Sequence, residues 1–234
     1  MTDYHLIRSG KRKTVAIEVH RDQRVVVRVP SAMSKWEINR LVRTKEQWII
    51  QQQNRQATLP QKTSTEDYRD NSEHFYLGKT LQLSYATINS IKLQEPYLLI
   101  PSKDRMTDAE GHTDFQRISK KLKEWYRSEA RAYYSDRLKH WLQQISHWQA
   151  PSPQLRLRYM RCYWGSCNSK HWITLNVELI KTPPEMIDYV ITHELCHLKE
   201  MNHSPAFYQL QESLLPDWRQ RRQQLRLWEQ RVLP

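Results

Sequence analysis

Residues 184–200 limit the folds open to this chain more than any other segment. Thr182–Glu185 predicts a helix start, because the spacing of a capping box coincides with proline at the first helical position. The helix that follows is apolar on nearly every side, at Met186, Ile187, Tyr189, Val190, Ile191, Leu195, Cys196 and Leu198. A helix of that kind is buried. We therefore expect other elements to be packed around it as a core.

This buried helix also carries three polar side chains. His193 and His197 are four residues apart, which puts them about 40° apart on the helix surface and one turn along it, within reach of one ion. Glu194 can lean over the same site. Burying two imidazoles and a carboxylate costs several kcal/mol unless something compensates them. Metal coordination is the simplest compensation, and a hydrogen-bonded structural trio is the alternative.

A catalytic zinc site has three protein ligands and a fourth position open to water. The metal lowers the pKa of that water to about 7, so that Glu194 can accept its proton as a general base. The candidate third ligands are Glu200, His203 and Glu212. We choose His203, because Ser204–Pro205 predicts the start of a new helix and the turn before it can fold back over the metal. Three histidines favour one zinc per chain over manganese or nickel.

Short motifs in the second half of the chain resemble the YgjP-like metallopeptidase family. They are Trp164–Cys167, Ile173–Asn176, Pro184, Ile187–Val190, His193–Leu198, Asn202–Ser204 and Phe207. The family is similar to SprT-like and other zincin proteases, and the resemblance implies zinc-dependent hydrolysis of a peptide bond. It also implies that His193, His197 and His203 hold the metal and that Glu194 is the catalytic carboxylate, the assignment that the spacing favours.

The sequence departs from the family pattern at one position. A basic residue usually precedes the Trp164–Cys167 motif, and here Tyr163 stands there, with Arg161 or Arg158 as candidate substitutes. We expect the motif to close one wall of the cleft, with the following strand available to pair with an extended substrate. The candidate substrate or cleft-wall residues are Arg161, Trp164, Gly165, Ser166, Cys167, Asn176 and Tyr208.

Two of these residues, together with Cys162, have alternative interpretations. Cys162 and Cys167 could be half of a zinc ribbon, although the chain has no second cysteine pair. Cys167 could instead be a nucleophile with His171 as its base. Tyr208 could stabilise an oxyanion or belong to the core.

The overall pattern predicts an α+β fold in which a zincin-like catalytic domain places the HExxH helix beside a β-hairpin formed within residues 155–177. Period-two alternation over Thr14–His20 and Arg24–Pro30 predicts another hairpin, and a capping box at Ser34–Glu37 begins a helix to about Ala57. The expected segments are a β-rich region with one long helix at 1–112, a connecting helix at 113–150, the catalytic domain at 151–216 and a basic helix at 217–234.

Composition excludes several classes of protein. Only four glycines occur, too far apart for the phosphate-binding loop of a P-loop NTPase or Rossmann domain. Three cysteines do not form a disulfide framework, and no apolar run is long enough to span a membrane, so we expect a soluble cytoplasmic protein.

The net charge of +12 favours anionic partners. It leaves two alternatives to a peptide or protein substrate. One is a metal-dependent nucleoside triphosphate pyrophosphatase, and the other is a nucleic-acid-binding protein or a protease acting on DNA-bound protein.

Overall fold

The structure is a computed structural model that describes residues 3–12, 14–19, 23–57, 68–105 and 115–233. Its elements form two compact units, Met1–Lys62 and Thr63–Pro234. The predicted loop at 60–73 and the predicted capping box at Thr113–Gln116 lie partly outside the described residues.

The first unit contains a three-stranded sheet and two helices. Its strands are β1 (His5–Ser9), β2 (Ala16–Val19) and β3 (Val25–Pro30), in the order β1-β3-β2. The antiparallel pairing of β2 with β3 confirms the predicted hairpin, whereas β1, which pairs with β3 in parallel, was not predicted. Val25, Val27 and Val29 alternate along β3 into a small core.

The helical segment of this unit differs from the prediction of one long helix. The helices are α1 (Lys35–Thr44) and α2 (Glu46–Ala57). Ser34 and Glu37 form the predicted capping box at the start of α1. Lys45 breaks the helix, because its φ and ψ of −102° and 7° leave the helical region. The break lets Ile38 and Val42 of α1 and Ile49 of α2 share the core with β3.

The second unit begins with a four-stranded sheet. Its strands are β4 (Glu73–Tyr76), β5 (Lys79–Ala86), β6 (Lys92–Gln94) and β7 (Tyr97–Pro101), in the order β4-β5-β7-β6. Helix α3 (Phe115–Gln144) follows, and every fourth residue of one stripe is buried, at Ile118, Leu122, Tyr126, Ala130, Tyr134 and Leu138. This stripe joins the sheet to the rest of the core.

A second sheet corrects the predicted hairpin between residues 155 and 177. Its strands are β8 (Gln154–Arg158), β9 (Gly165–Cys167) and β10 (Trp172–Asn176), in the order β8-β10-β9. The hairpin is formed by β9 and β10, while β8 pairs with β10 in parallel. The period-two pattern of β8 is the same in either pairing, so it could not distinguish them.

Three helices complete the second unit: α4 (Pro184–Cys196), α5 (Pro205–Leu214) and α6 (Trp218–Val232). Pro184 occupies the first position of α4, as predicted, but the capping box is wrong. Thr182 instead ends the preceding 3-10 helix Val177–Lys181, because its hydroxyl donates to the Leu179 carbonyl at 2.8 Å. α4 also ends at Cys196 rather than near Glu200.

One continuous core extends from the β4–β7 sheet through α3 to α4 and α6. The predicted division of the chain into segments at residues 112, 150 and 216 stays a prediction. None of the helices in the described part of the chain has the length and apolar character that crossing a bilayer requires.

An ion pair fixes α4 against α3. Arg137 Nε and Nη2 donate to the two carboxylate oxygens of Asp188 at 2.8 and 2.9 Å, and Trp141 Nε1 donates to the same carboxylate at 2.9 Å. Only 14% of the Asp188 side chain is exposed. The pairing of two planar groups sets both the position and the rotation of α4.

Asp188→Ala should lower the free energy of unfolding by about 2 kcal/mol, because it leaves the Arg137 charge and the Trp141 N–H without their acceptor. Asp217→Ala is the matched control, since it removes the pair of Arg221 with Asp217, whose side chain is 46% exposed, and should cost no more than about 0.5 kcal/mol. Urea unfolding followed by tryptophan fluorescence measures both. Equal losses in the two variants would contradict the structural role given to Asp188.

Candidate metal centre and catalytic site

The end of α4 orients the second histidine of the HExxH motif. His197 is the C-cap residue immediately after α4, and the N–H groups of Lys199 and Glu200 both donate to the Cys196 carbonyl, closing a tight turn. This turn brings the Glu200 carbonyl 2.9 Å from His197 Nδ1. A carbonyl only accepts, so Nδ1 must carry the proton. The Nε2 lone pair of His197 is therefore free for a metal.

The start of α5 positions the third histidine. Ser204 caps the helix by accepting a hydrogen bond from the Phe207 N–H at 3.2 Å, and Pro205 takes the first helical position, which confirms that predicted helix start. His203, immediately before the cap, is folded back toward α4. Its Nε2 lies 3.1 Å from Nε2 of His193.

The three histidines converge on one point. Each offers a nitrogen, and these nitrogens all lie within 4.8 Å of one another. Zinc–nitrogen bonds of 2.0–2.1 Å in tetrahedral geometry separate ligand nitrogens by about 3.4 Å, so small side-chain adjustments suffice to bind an ion. The alternative third ligands are not part of this group of potential ligands. Glu212 pairs instead with Arg219 at 2.8 Å.

Phe207 lies against all three imidazoles. Its ring centroid is 4.9 Å from that of His193, 4.7 Å from that of His197 and 4.7 Å from that of His203, and its side chain is fully buried. An aromatic ring at these distances packs the imidazoles from one side and excludes water from that side. The open side of the trio is therefore the side away from Phe207.

Gln211, one turn after Phe207, connects α5 to α4 through buried polar contacts. The sequence analysis did not predict this role. Its Nε2 donates to Thr192 Oγ1 at 2.9 Å, and its Oε1 lies 3.9 Å from the Cys196 sulfur, all within the core. The signal was present in the spacing, because position 211 follows Phe207 by four residues and so falls on the buried face of α5. A polar residue at such a position needs buried partners.

The surroundings of His193 and His203 favour their neutral forms. Burial, assisted by the neighbouring His197, His203 and Arg222, lowers the pKa of His193 to about 3. Burial and the nearby His197 and Arg222 also lower the pKa of His203. Neutral imidazoles have the lone pairs that a metal requires.

Among the polar side chains of α4, Glu194 has the fewest interactions that offset the cost of its burial. Burial raises the pKa of its carboxyl to about 8, and its Oε2 is buried without a hydrogen-bond partner in the described part of the protein. Gly165 of β9 leaves the space that this carboxylate occupies. A Cβ at Gly165 would lie 2.7 Å from Glu194 Oε1 and 3.0 Å from Val190 Cγ1. An unpaired buried carboxylate beside three histidines fits a metal centre better than a structural trio.

The predicted cleft wall is partly accessible. Arg161 and Ser166 are exposed, Gly165 and Cys167 are half-buried, and Trp164 is buried. Tyr163, which stands where a basic residue was expected, is 70% exposed. β9 therefore presents a surface beside Glu194, and Arg161 and Tyr163 lie in the segment that leads into it.

Two predictions about this wall are wrong. Asn176 is fully buried, so it cannot line a cleft. Its side chain instead donates to the carbonyls of Met160 and Tyr163 and accepts from the Met160 N–H, holding the segment before β9. β10 is the central strand of its sheet, so it cannot pair with a substrate, and the edge strand on that side is β9.

Tyr208 and Cys167 both lie close to the site. The Tyr208 ring stacks on His203 at 6.2 Å and on Trp218 at 5.1 Å, which links the site to α6. Burial and the nearby Glu194 raise the pKa of Cys167 to about 11. A thiol with that pKa stays protonated near neutral pH, which disfavours Cys167 as a nucleophile.

Comparisons with known proteins agree with this geometry in part. The profile of the family described as YgjP-like, metallopeptidase domain, matches residues 13–227. No curated protein matches the chain. Among solved structures, it is similar to the metallopeptidase zymogen of Pyrococcus abyssi abylysin, with 24% identity, a TM-score of 0.38, and coverage of 43% of this chain and 99% of that one.

His203→Ala should weaken zinc binding by more than about a hundredfold, because loss of a direct ligand costs more than loss of a group that merely supports one. His140→Ala is the matched control, since His140 is exposed on α3 and is not part of the histidine trio. Zinc content and competition with a chromophoric chelator measure the effect. Full zinc affinity in His203→Ala would move the third ligand to Glu200 or Glu212.

Proposed function

The chain belongs to the YgjP-like family of metallopeptidase domains, as its motifs predicted, and from this premise we propose that it is a zinc-dependent metallopeptidase with Glu194 as its general base. The observation that carries the proposal is the convergence of three histidines beside a buried carboxylate whose Oε2 has no hydrogen-bond partner among the described residues. We also propose that this region is a zincin-like catalytic domain.

His193, His197 and His203 would hold one zinc ion through their imidazole nitrogens, and the donor set fits that metal. When bound, zinc supplies a Lewis acid that polarises the scissile carbonyl and makes water acidic enough to be deprotonated near neutral pH. The protein contributes the orientation of the ligands, through the Glu200 carbonyl at His197 and through Phe207 beneath all three rings.

Glu194 would then move the proton. Burial alone favours its protonated form, but a divalent cation close by favours the carboxylate, which is the form that accepts a proton. Oε2 has no hydrogen-bond partner among the described residues, so nothing there competes for the proton. The same group can afterwards give that proton to the leaving amine.

The position of β9 at the edge of its sheet favours a peptide as the substrate. It is an edge strand three residues long, it carries the exposed Ser166, and it lies against α4 at Glu194. An extended peptide could pair with its backbone and so lay a peptide bond across the histidine trio. Tyr208, stacked on His203, is our candidate for stabilising the oxyanion.

Glu194→Gln should abolish peptide hydrolysis, with a loss of about 10²- to 10⁴-fold or more, while zinc content stays at that of the wild type. The amide keeps the shape of the side chain but cannot accept the proton. Glu212→Gln is the matched control, because Glu212 is exposed and paired with Arg219 away from the histidines. Cleavage of a peptide library, read by mass spectrometry, measures the effect, and full activity in Glu194→Gln would exclude the proposed mechanism.

Gly165→Ala should lower peptidase activity by about tenfold or more without removing zinc, because the added methyl group displaces the Glu194 carboxylate. Gly10→Ala controls for the general effect of the substitution, since a Cβ there meets only Ser31 Oγ at 3.8 Å. Kinetics on a cleaved peptide and zinc analysis of the same samples measure both. A Gly165→Ala enzyme as active as Gly10→Ala would show that the close approach of β9 is not needed.

A further inference from the structure

One strip of helix α6 starts at the metal site. Trp218, the first residue of α6, is buried and stacks on Tyr208 at 5.1 Å, and Tyr208 stacks in turn on His203. Arg222 and Arg226 follow Trp218 at intervals of four residues. In a helix this spacing places them on the same side as Trp218, about 6 and 12 Å further along the axis. We call Arg222 and Arg226 the arginine strip.

The other arginines at the start of α6 are already paired. Arg219 donates to Glu212 at 2.8 Å, and Arg221 donates to Asp217 at 2.9 Å. Arg222 and Arg226 are both exposed, and neither forms an ion pair with a carboxylate in the described part of the chain. Their two positive charges therefore remain available to a ligand.

The charge of Arg222 acts on two of the three histidines. Burial is the main cause of the lowered pKa values of His193 and His203, and the charge of Arg222 acts on both in the same direction. At Tyr189, one turn before His193 on α4, burial raises the pKa while the charges of Arg222 and Arg226 oppose it. These effects agree with the position that the stacked rings give to the strip.

We propose that the arginine strip binds a carboxylate of the peptide substrate close to the scissile bond, so that the enzyme selects peptides with a negative charge there. This inference rests on the proposed peptidase function. A guanidinium binds a carboxylate through two parallel hydrogen bonds, which gives direction as well as affinity. The carboxylate can belong to an Asp or Glu side chain or to the C-terminus of the peptide.

The pairing within α6 favours a peptide carboxylate over a nucleic acid. A duplex is bound by a series of cations spread along its phosphates. Here the ion pairs of Arg219 and Arg221 neutralise two neighbouring charges, so that only Arg222 and Arg226 form the strip that begins at Trp218. Two adjacent cations suit one or two carboxylates.

The test uses zinc-loaded full-length protein and a proteome-derived peptide library read by mass spectrometry. The variants are Arg222→Gln/Arg226→Gln, the inactive Glu194→Gln, and Arg231→Gln, which removes one charge from the last turn of the same helix. Cleaved sequences are then resynthesised with Glu, Gln or Lys at the enriched position, and with a free or an amidated C-terminus. Zinc content and melting temperature of each variant show that it is folded and loaded.

For the wild type and Arg231→Gln we expect kcat/KM to be about tenfold higher for a carboxylate than for its amide, the contribution of one good charge-assisted hydrogen bond. The double variant should lose this preference while zinc content stays unchanged. Affinity of the same peptides for Glu194→Gln, measured by fluorescence anisotropy, should show the same preference without turnover. Loss of the preference on amidation identifies the C-terminal carboxylate, and loss on Glu→Gln substitution identifies the side chain.

Cleavage with no preference for carboxylates would overturn the proposed role of the arginine strip but not the proposed peptidase function. The same holds if the double variant keeps the preference. No cleavage of any library peptide by zinc-loaded wild type would overturn both. Binding of a DNA duplex that the double variant loses, or release of phosphate from nucleoside triphosphates that it loses, would reassign the strip to a phosphate ligand.

Discussion

Burial of α4 on nearly all sides is the constraint on which the second unit depends. Nine of its thirteen residues are buried, so each polar side chain it carries needs a partner from an element packed against it. α3 supplies Arg137 and Trp141 to Asp188, and α5 supplies Gln211 to Thr192 and Cys196. The helices around α4 are therefore held in place by polar groups as well as by apolar area.

Glu194 is the exception to this pattern, and it lies in the candidate site. Its carboxylate is as deeply buried as the satisfied groups, yet one oxygen has no partner in the described part of the protein. A protein does not tolerate that cost, of several kcal/mol, without a compensating role. The three histidines beside it provide the compensation if they hold a cation, because a positive charge stabilises the ionised form of Glu194.

Local signals in the sequence predicted the parts of the site that are local in the chain. The HExxH spacing and the Ser204–Pro205 cap led to the three histidines, since each rests on helix geometry over a few residues. The parallel pairing of β8 with β10 could not be predicted, because a period-two pattern does not specify a partner. Thr182 was misassigned for a related reason, as it lies between two helices and caps the earlier one.

The net charge of the chain and the arrangement of its charged side chains suggest different ligands. A net charge of +12 suggests a polyanionic partner, but that sum treats all arginines alike. The arginines of α6 differ in their surroundings. Arg219 and Arg221 pair with carboxylates, while Arg222 and Arg226 share the face that begins at Trp218. For the proposed recognition of a carboxylate, the positions of Arg222 and Arg226 therefore matter more than the total charge. Arg222 and Arg226 follow the buried Trp218 at intervals of four residues, a spacing that is visible in the sequence. The structure adds that the ring stacked on Trp218 is Tyr208, which in turn stacks on His203.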